Sequence, residues 1–266
     1  METNEINNGE KNKGKNEKEE NRKSTILTNS NYKIEILKED ILSDGIISKI
    51  IIIGDSGVGK TSLSLRITKN LFEEAPKTTV GFDIFKYIAK VNELVIKLQI
   101  WDTCGLEEFS SCTPSLYKNA ALAIIVYSID NKKSFEHLEN WKNLVKENAS
   151  PETIIFIVGN KKDLNNRKIK TEQGEEFKNK YDFQFFTETS AKENEFVNDL
   201  FQQALIKIYE QHKEKQKGDG KEREDFKKKK IVLVLRLQTM EIKKRGVVNK
   251  RLIIFVIIKL INIKFI

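Results

Sequence analysis

Residues 54–61 read GDSGVGKT, a glycine-rich turn that runs directly into Lys60 and Thr61. The spacing GxxxxGK[ST] suits phosphate. Gly54, Gly57 and Gly59 turn tightly with no Cβ in the way, so the backbone N–H groups of the loop converge on phosphate oxygens. Lys60 adds a point charge and Thr61 a hydroxyl for Mg²⁺. A second cluster, WDTCGLE at 101–107, supplies Asp102, a carboxylate suited to holding Mg²⁺ through water, and Gly105, whose backbone N–H suits a terminal phosphate. A third, NKKD at 160–163, places Asp163 as an acceptor for the two adjacent N–H donors of guanine. Adenine has no such pair, and a wrong base leaves buried polar groups unpaired. The run ETSAK at 188–192 offers further backbone N–H groups, from Ser190, Ala191 and Lys192, to the guanine carbonyl oxygen. Taken singly, DxxG is a turn, NKKD a charged loop and ETSAK a helix cap. In this order behind a phosphate loop they describe one purine-nucleotide site.

Such a site needs elements that bring its parts together. Strand candidates are residues 49–53, 82–91, 94–101, 121–128, 153–158 and 183–187; helical periodicity covers 60–70, 134–147, 171–180 and 195–212. Strands alternating with helices imply right-handed crossovers and a mostly parallel sheet covered on both faces. Ligands then sit beyond the carboxyl ends of the strands. The phosphate loop, WDTCG, NKKD and ETSAK all follow strand candidates, which puts them on one side of one sheet.

The chain has 266 residues, enough for one domain with extensions. Cys104 and Cys112 are its only cysteines, which excludes a disulfide framework. The N-terminus carries neither a secretory leader nor a glycine for myristoylation. Residues 214–266 hold 16 Lys/Arg against 6 Asp/Glu, more than the whole chain's net charge of +8. The basicity therefore belongs to the tail, and a nucleic-acid-binding core is not expected. Residues 1–45 are mostly Asn, Lys and Glu and are expected to be a disordered extension. The folding domain is placed at 46–213 and the basic, apolar tail at 214–266.

GDSGVGKT, Thr79, WDTCGLE, NKKD and ETSAK together resemble the nucleotide boxes of the Ras-superfamily small GTPases. The text KLQIWDTCGLEEF, TTVGFDIF, LYKNA and FFTETSAKEN is most similar to the Rab branch. The resemblance implies an α/β P-loop NTPase fold with a six-stranded, mostly parallel sheet and five helices. It implies GTP/GDP and Mg²⁺ as ligands. Ser56, Gly57, Val58, Gly59, Lys60, Thr61 and Ser62 would cradle the phosphates, with Thr61, Thr79 and Asp102 at the metal. Phe72, Asn160, Lys161, Asp163, Ser190, Ala191 and Lys192 would hold the base. Lys60, Thr79, Gly105 and Leu106 would stand at the hydrolytic centre. Segments 71–83 and 103–117 correspond to two switch regions that the γ-phosphate orders. Exchange factors, GTPase-activating proteins and effectors would read those segments on a monomer that works at a cytosolic membrane face in vesicle traffic.

Three departures from the family modify that expectation. Leu106 stands where the family has a glutamine that orients water. An isobutyl group makes no hydrogen bond, so weak intrinsic hydrolysis and a GTP-biased population are expected. A permanently GTP-bound recruitment module is the alternative, and Ras-like signalling another, since VGFDI departs from Rab usage. Of the aromatic triad on Rab switch surfaces only Trp101 remains, with Ile84 and Leu116 at the other places. The end of the chain has no cysteine for prenylation. Basic and apolar runs alternate there instead, which reads either as an anionic-membrane contact or as a misread exon boundary.

Overall fold

The computed structural model describes residues 26–29, 31–37, 44–74, 79, 81–104 and 114–218. The chain divides into two units, 1–210 and 211–266. Of the second unit only 211–218 are described, and they are helical.

The strands are β1 (Ile26–Asn29), β2 (Tyr32–Leu37), β3 (Ile46–Ile53), β4 (Phe82–Val91), β5 (Leu94–Thr103), β6 (Ala120–Ser128), β7 (Ile154–Asn160) and β8 (Phe185–Thr189). The helices are α1 (Lys60–Lys69), α2 (Pro114–Tyr117), α3 (Lys132–Glu136), α4 (Leu138–Asn148) and α5 (Thr171–Lys180), followed by α6 over 197–218. The strands form one mixed sheet in the order β1-β2-β4-β5-β3-β6-β7-β8. β3 runs parallel to β5 and β6, and β7 parallel to β6 and β8, whereas β4 is antiparallel to β5.

β3 shows why the chain folds this way. Ile50, Ile51, Ile52 and Ile53 are all fully buried, as a continuous β-branched run in a sheet covered on both faces requires. Side chains alternate across a strand. Ile50 and Ile52 join the core that includes Leu63 and Ile67 of α1 and Leu200, Phe201 and Ala204 of α6. Ile51 and Ile53 join the opposite core with Leu138, Trp141 and Val145 of α4.

Three expectations need correction. The sheet has eight strands, because part of the polar extension joins it. β1 and β2 form an antiparallel hairpin, and β2 pairs with β4 from Ile34↔Val91 to Leu37↔Ile88. Composition pointed to disorder across residues 1–45, yet Ile34 is fully buried in the core. The Tyr32 hydroxyl donates to Glu210 Oε1 at 2.6 Å, and the rings of Tyr32 and Tyr209 meet edge to face at 5.9 Å. The β4 edge accounts for the difference: pairing there satisfies the backbone of a six-residue segment too short to show periodicity in so polar a context. The single helix expected over 134–147 is two, α3 and α4, separated at His137, so that six helices rather than five stand among the described residues. β8 lies two residues later than expected, at Phe185–Thr189.

Candidate nucleotide-binding site

The phosphate loop leaves β3 at Gly54 and enters α1 at Lys60. Gly54, Gly57 and Gly59 have φ of 139°, 77° and 98°, a region costly for any residue with a Cβ. Gly54 also meets a backbone: a Cβ there would lie 2.1 Å from the Val126 carbonyl oxygen. At Gly57 a Cβ would meet nothing within 4 Å. Its left-handed backbone alone requires glycine, and its exposed side faces open space.

Lys60 is buried, and its Nζ donates to the carbonyls of Gly54 and Asp55, each at 2.8 Å. Burial lowers its ammonium pKa to about 8, with Asp102 and Asp55 opposing the shift. Asp55, inside the loop, is anchored from the opposite face of the sheet. Its Oδ1 accepts from Trp141 Nε1 at 2.8 Å, and its Oδ2 lies 2.7 Å from His137 Nδ1. Nothing in the motif marks Asp55 for this; the partners, Trp141 of α4 and His137 just before it, lie 86 and 82 positions away.

Thr61 Oγ1 lies 2.6 Å from Asp102 Oδ2 and 2.9 Å from Thr79 Oγ1. The three residues expected at the metal are thus brought together from α1, β5 and the segment before β4. Asp102 is fully buried, and burial raises its carboxyl pKa to about 6 against the pull of Thr61 and Lys60. Its second oxygen, Oδ1, has no hydrogen-bond partner among the described residues. A buried carboxylate oxygen without a partner beside two hydroxyls fits a hard cation or its bound water. Among the described residues no cluster of three or more His, Cys, Asp or Glu is present, so these groups supply only part of an octahedral shell. Phosphate oxygens and water suit the rest.

The base-side residues interlock. Asn160, at the end of β7, donates through Nδ2 to the Val58 carbonyl at 2.9 Å and accepts at Oδ1 from Thr189 Oγ1 at 3.1 Å. One side chain therefore joins the phosphate loop, the NKKD loop and the ETSAK loop. Ser190 Oγ donates to Asp163 Oδ1 at 2.6 Å. Lys161 has φ 67°, which turns the chain sharply between Asn160 and Asp163.

These residues enclose a cavity of about 610 Å³, within the range of small-molecule sites. Of the residues assigned to the nucleotide and metal from sequence, Ser56, Gly57, Gly59, Lys60, Thr61, Ser62, Phe72, Thr79, Asn160, Lys161, Asp163, Ala191 and Lys192 line it. Val58, Asp102 and Ser190 do not; Asp102 lies buried behind Thr61. Val58 is buried in the core and contributes its carbonyl to Asn160, and Ser190 acts through Asp163. Gly105 and Leu106 lie outside the described residues. Glu73, Glu74, Thr103 and Leu164 also line the cavity and were not anticipated. Thr103 donates to the Ile52 carbonyl at 2.9 Å, which ties β5 to the phosphate strand.

A model of the Ras family matches residues 49–210. The chain belongs to the Ras family. Its relatives place it among the Rab-like members. It is 42% identical over 162 residues to Ras-related protein Rab-11B of Dictyostelium discoideum, covering 60% of this chain and 73% of the relative. It is 39% identical over 173 residues to Ras-related protein SEC4 of Candida albicans, covering 65% and 82%. It is 37% identical over 175 residues to Ras-related protein RABA1b of Arabidopsis thaliana, covering 65% and 81%. In this Rab-like GTPase Trp101 has an aromatic neighbour outside the triad positions. Phe82 stacks on Trp101 with ring centroids 4.7 Å apart, and Lys49 Nζ stands 4.0 Å from the Trp101 centroid. Ile84 and Phe82 are both exposed there.

Proposed function

We propose that this protein is a GTP/GDP-binding switch of Rab type with weak intrinsic hydrolysis, acting in intracellular membrane traffic. The observation that carries the reading is Asn160, which bonds the phosphate loop and the ETSAK loop at once. Phosphate recognition and base recognition thereby belong to one cavity. Lys60 supplies charge to the β- and γ-phosphates. Asp163, held by Ser190, accepts from the guanine edge. Phe72 and Lys161 flank the ring. Thr61, Thr79 and Asp102 are the residues that would hold Mg²⁺, which when bound neutralises charge on the transferring phosphoryl group.

Thr79 gives the switch its physical basis. It lies in the segment before β4, and its hydroxyl already meets Thr61, so the metal site extends into a partner-facing segment. Exchange factors, activating proteins and effectors would read that segment together with the exposed Phe82 and Ile84 and the half-buried Trp101 beside them. Leu106 slows the intrinsic step because a hydrocarbon side chain cannot orient water. Single-turnover hydrolysis of the purified chain, with its bound nucleotide identified first, tests the reading. Leu106→Gln is expected to accelerate turnover; equal rates refute the assigned role of Leu106. A purified chain that retains GTP indefinitely favours the recruitment-module alternative. Peripheral contact of the basic tail with an anionic membrane belongs to the same proposal. Co-sedimentation of the full chain with phosphatidylserine vesicles at low and high salt checks it, and salt-insensitive or absent binding refutes it.

A further inference from the structure

Arg66 does not line the cavity, yet it holds one wall of it. The residue sits on α1, the helix that begins with Lys60 and Thr61. Its Nε donates to the Ala191 carbonyl at 2.8 Å and its Nη2 to the Lys192 carbonyl at 2.9 Å. Nη1 turns back to the Asn70 carbonyl at 3.0 Å and Asn70 Oδ1 at 3.2 Å. Asn70 caps α1 in the left-handed region, with φ 52°; its N–H donates to the Arg66 carbonyl at 3.0 Å and the Leu71 N–H to the Leu65 carbonyl at 3.4 Å. The guanidinium is therefore fixed to the helix end on one edge and to the ETSAK loop on the other.

The loop is also held at its start, where Ser190 Oγ donates to Asp163 Oδ1 and Ala191 is buried in the core. Residues 191–194 are turn, closed by the Ser190–Glu195 bridge and by the Glu193 N–H on Ser190 Oγ at 2.9 Å. A guanidinium presents its donors in a rigid plane, and bonds from a charged donor are stronger than neutral ones. In a trans peptide the carbonyl and the following N–H point in opposite directions. Gripping the Ala191 carbonyl from α1 thus turns the Lys192 N–H away from α1, while the grip on the Lys192 carbonyl fixes the next peptide plane, whose Glu193 N–H is held by Ser190 Oγ. Ala191 and Lys192 both line the cavity.

We propose that Arg66 is a positioning residue for base selection: it fixes the Ala191–Lys192 backbone to the phosphate-binding helix, so that the loop N–H groups meet the 6-oxygen of a purine. The inference rests on the GTP/GDP reading above. It makes α1 the link between the two halves of the ligand, with phosphate at its first turn and base through its guanidinium. Loosening the clamp releases nucleotide faster without removing any group that touches it.

The test measures release of GDP and of 2-aminopurine riboside diphosphate from the full chain with Mg²⁺. The analogue keeps the 2-amino group and lacks both the 6-oxygen and the N1–H, so the quantity compared is each variant's release rate relative to the parent chain for the same nucleotide. Arg66→Ala is expected to speed GDP release about tenfold and release of the analogue about twofold or less. Arg66→Lys, which keeps the charge but not the forked geometry, is expected to fall between Arg66→Ala and the parent chain. Equal acceleration of both nucleotides, or none, overturns the proposal. If Arg66→Ala does not fold, the same comparison on Arg66→Lys decides, and equal effects again overturn it. Failure of the parent chain to retain GDP refutes the underlying nucleotide reading, a result distinct from a parent that binds and variants that behave like it.

Discussion

Replacing Asn160 by alanine removes the one side chain that joins three loops of the site. Asn160 is buried, as are Val58 and Thr189, its partners at 2.9 and 3.1 Å. Two neutral hydrogen bonds contribute about 1 kcal/mol each. The Val58 carbonyl and Thr189 hydroxyl are also left in the interior without partners, so Asn160→Ala is expected to cost about 2–5 kcal/mol. With a urea slope of about 2 kcal/mol per molar, the unfolding midpoint falls by about 1–2.5 M at unchanged slope. The assay is equilibrium urea unfolding with GDP and Mg²⁺ present, with each variant's GDP affinity measured separately so that its mass-action share is subtracted. Thr189→Val removes only the weaker bond and is expected to cost about 1–2 kcal/mol. Because the two residues share that bond, the double variant should lose less than the two singles added, by about 1 kcal/mol. A loss under about 0.5 kcal/mol for Asn160→Ala, or strict additivity, refutes the role of this residue as the tie between the loops.

Four further outcomes follow from the same structure. Gly57→Ala introduces a Cβ into open space at φ 77°, so stability falls by only about 1–2 kcal/mol while GDP release accelerates about tenfold because the loop no longer wraps phosphate. Thermal melts and release kinetics check this, and unchanged release refutes it. Gly54→Ala drives a Cβ against the Val126 carbonyl and is expected to cost more stability than Gly57→Ala; the reverse order in melts would contradict the geometry. Ile34→Ala empties a fully buried site in the core and should cost about 2–5 kcal/mol; a loss near zero in urea unfolding shows that the N-terminal hairpin is not part of the folded sheet. Lys60, lowered to about 8 by burial, loses its proton in the nucleotide-free chain as pH rises through that value. Phosphate favours the charged form, so binding at about pH 8.5 takes up part of a proton and weakens with further rise, whereas near pH 7 this group contributes no uptake. Titration calorimetry in two buffers of different ionisation enthalpy measures the uptake, and none at pH 8.5 refutes the shift.

Much of this was legible in the residues alone. A phosphate loop is a local object: glycine spacing, a lysine and a threonine act within one turn, so Gly54 to Thr61 specify their own geometry wherever a strand precedes them. The strand-end motifs were readable for a related reason, since a parallel sheet puts the carboxyl ends of β3, β5, β7 and β8 on one side. Tertiary structure alone decided which groups support those motifs. Arg66 looks like an ordinary helix charge until Ala191, 125 positions away, comes within 2.8 Å. Asp55 looks like a variable loop position until Trp141 and His137 close on its carboxylate. Residues 32–37 read as polar extension because their neighbours are Asn, Lys and Glu; the β4 edge made them a strand and took Ile34 into the core. Short-range chemistry is written in spacing, whereas burial and long-range hydrogen bonds depend on partners that only the folded chain brings into reach.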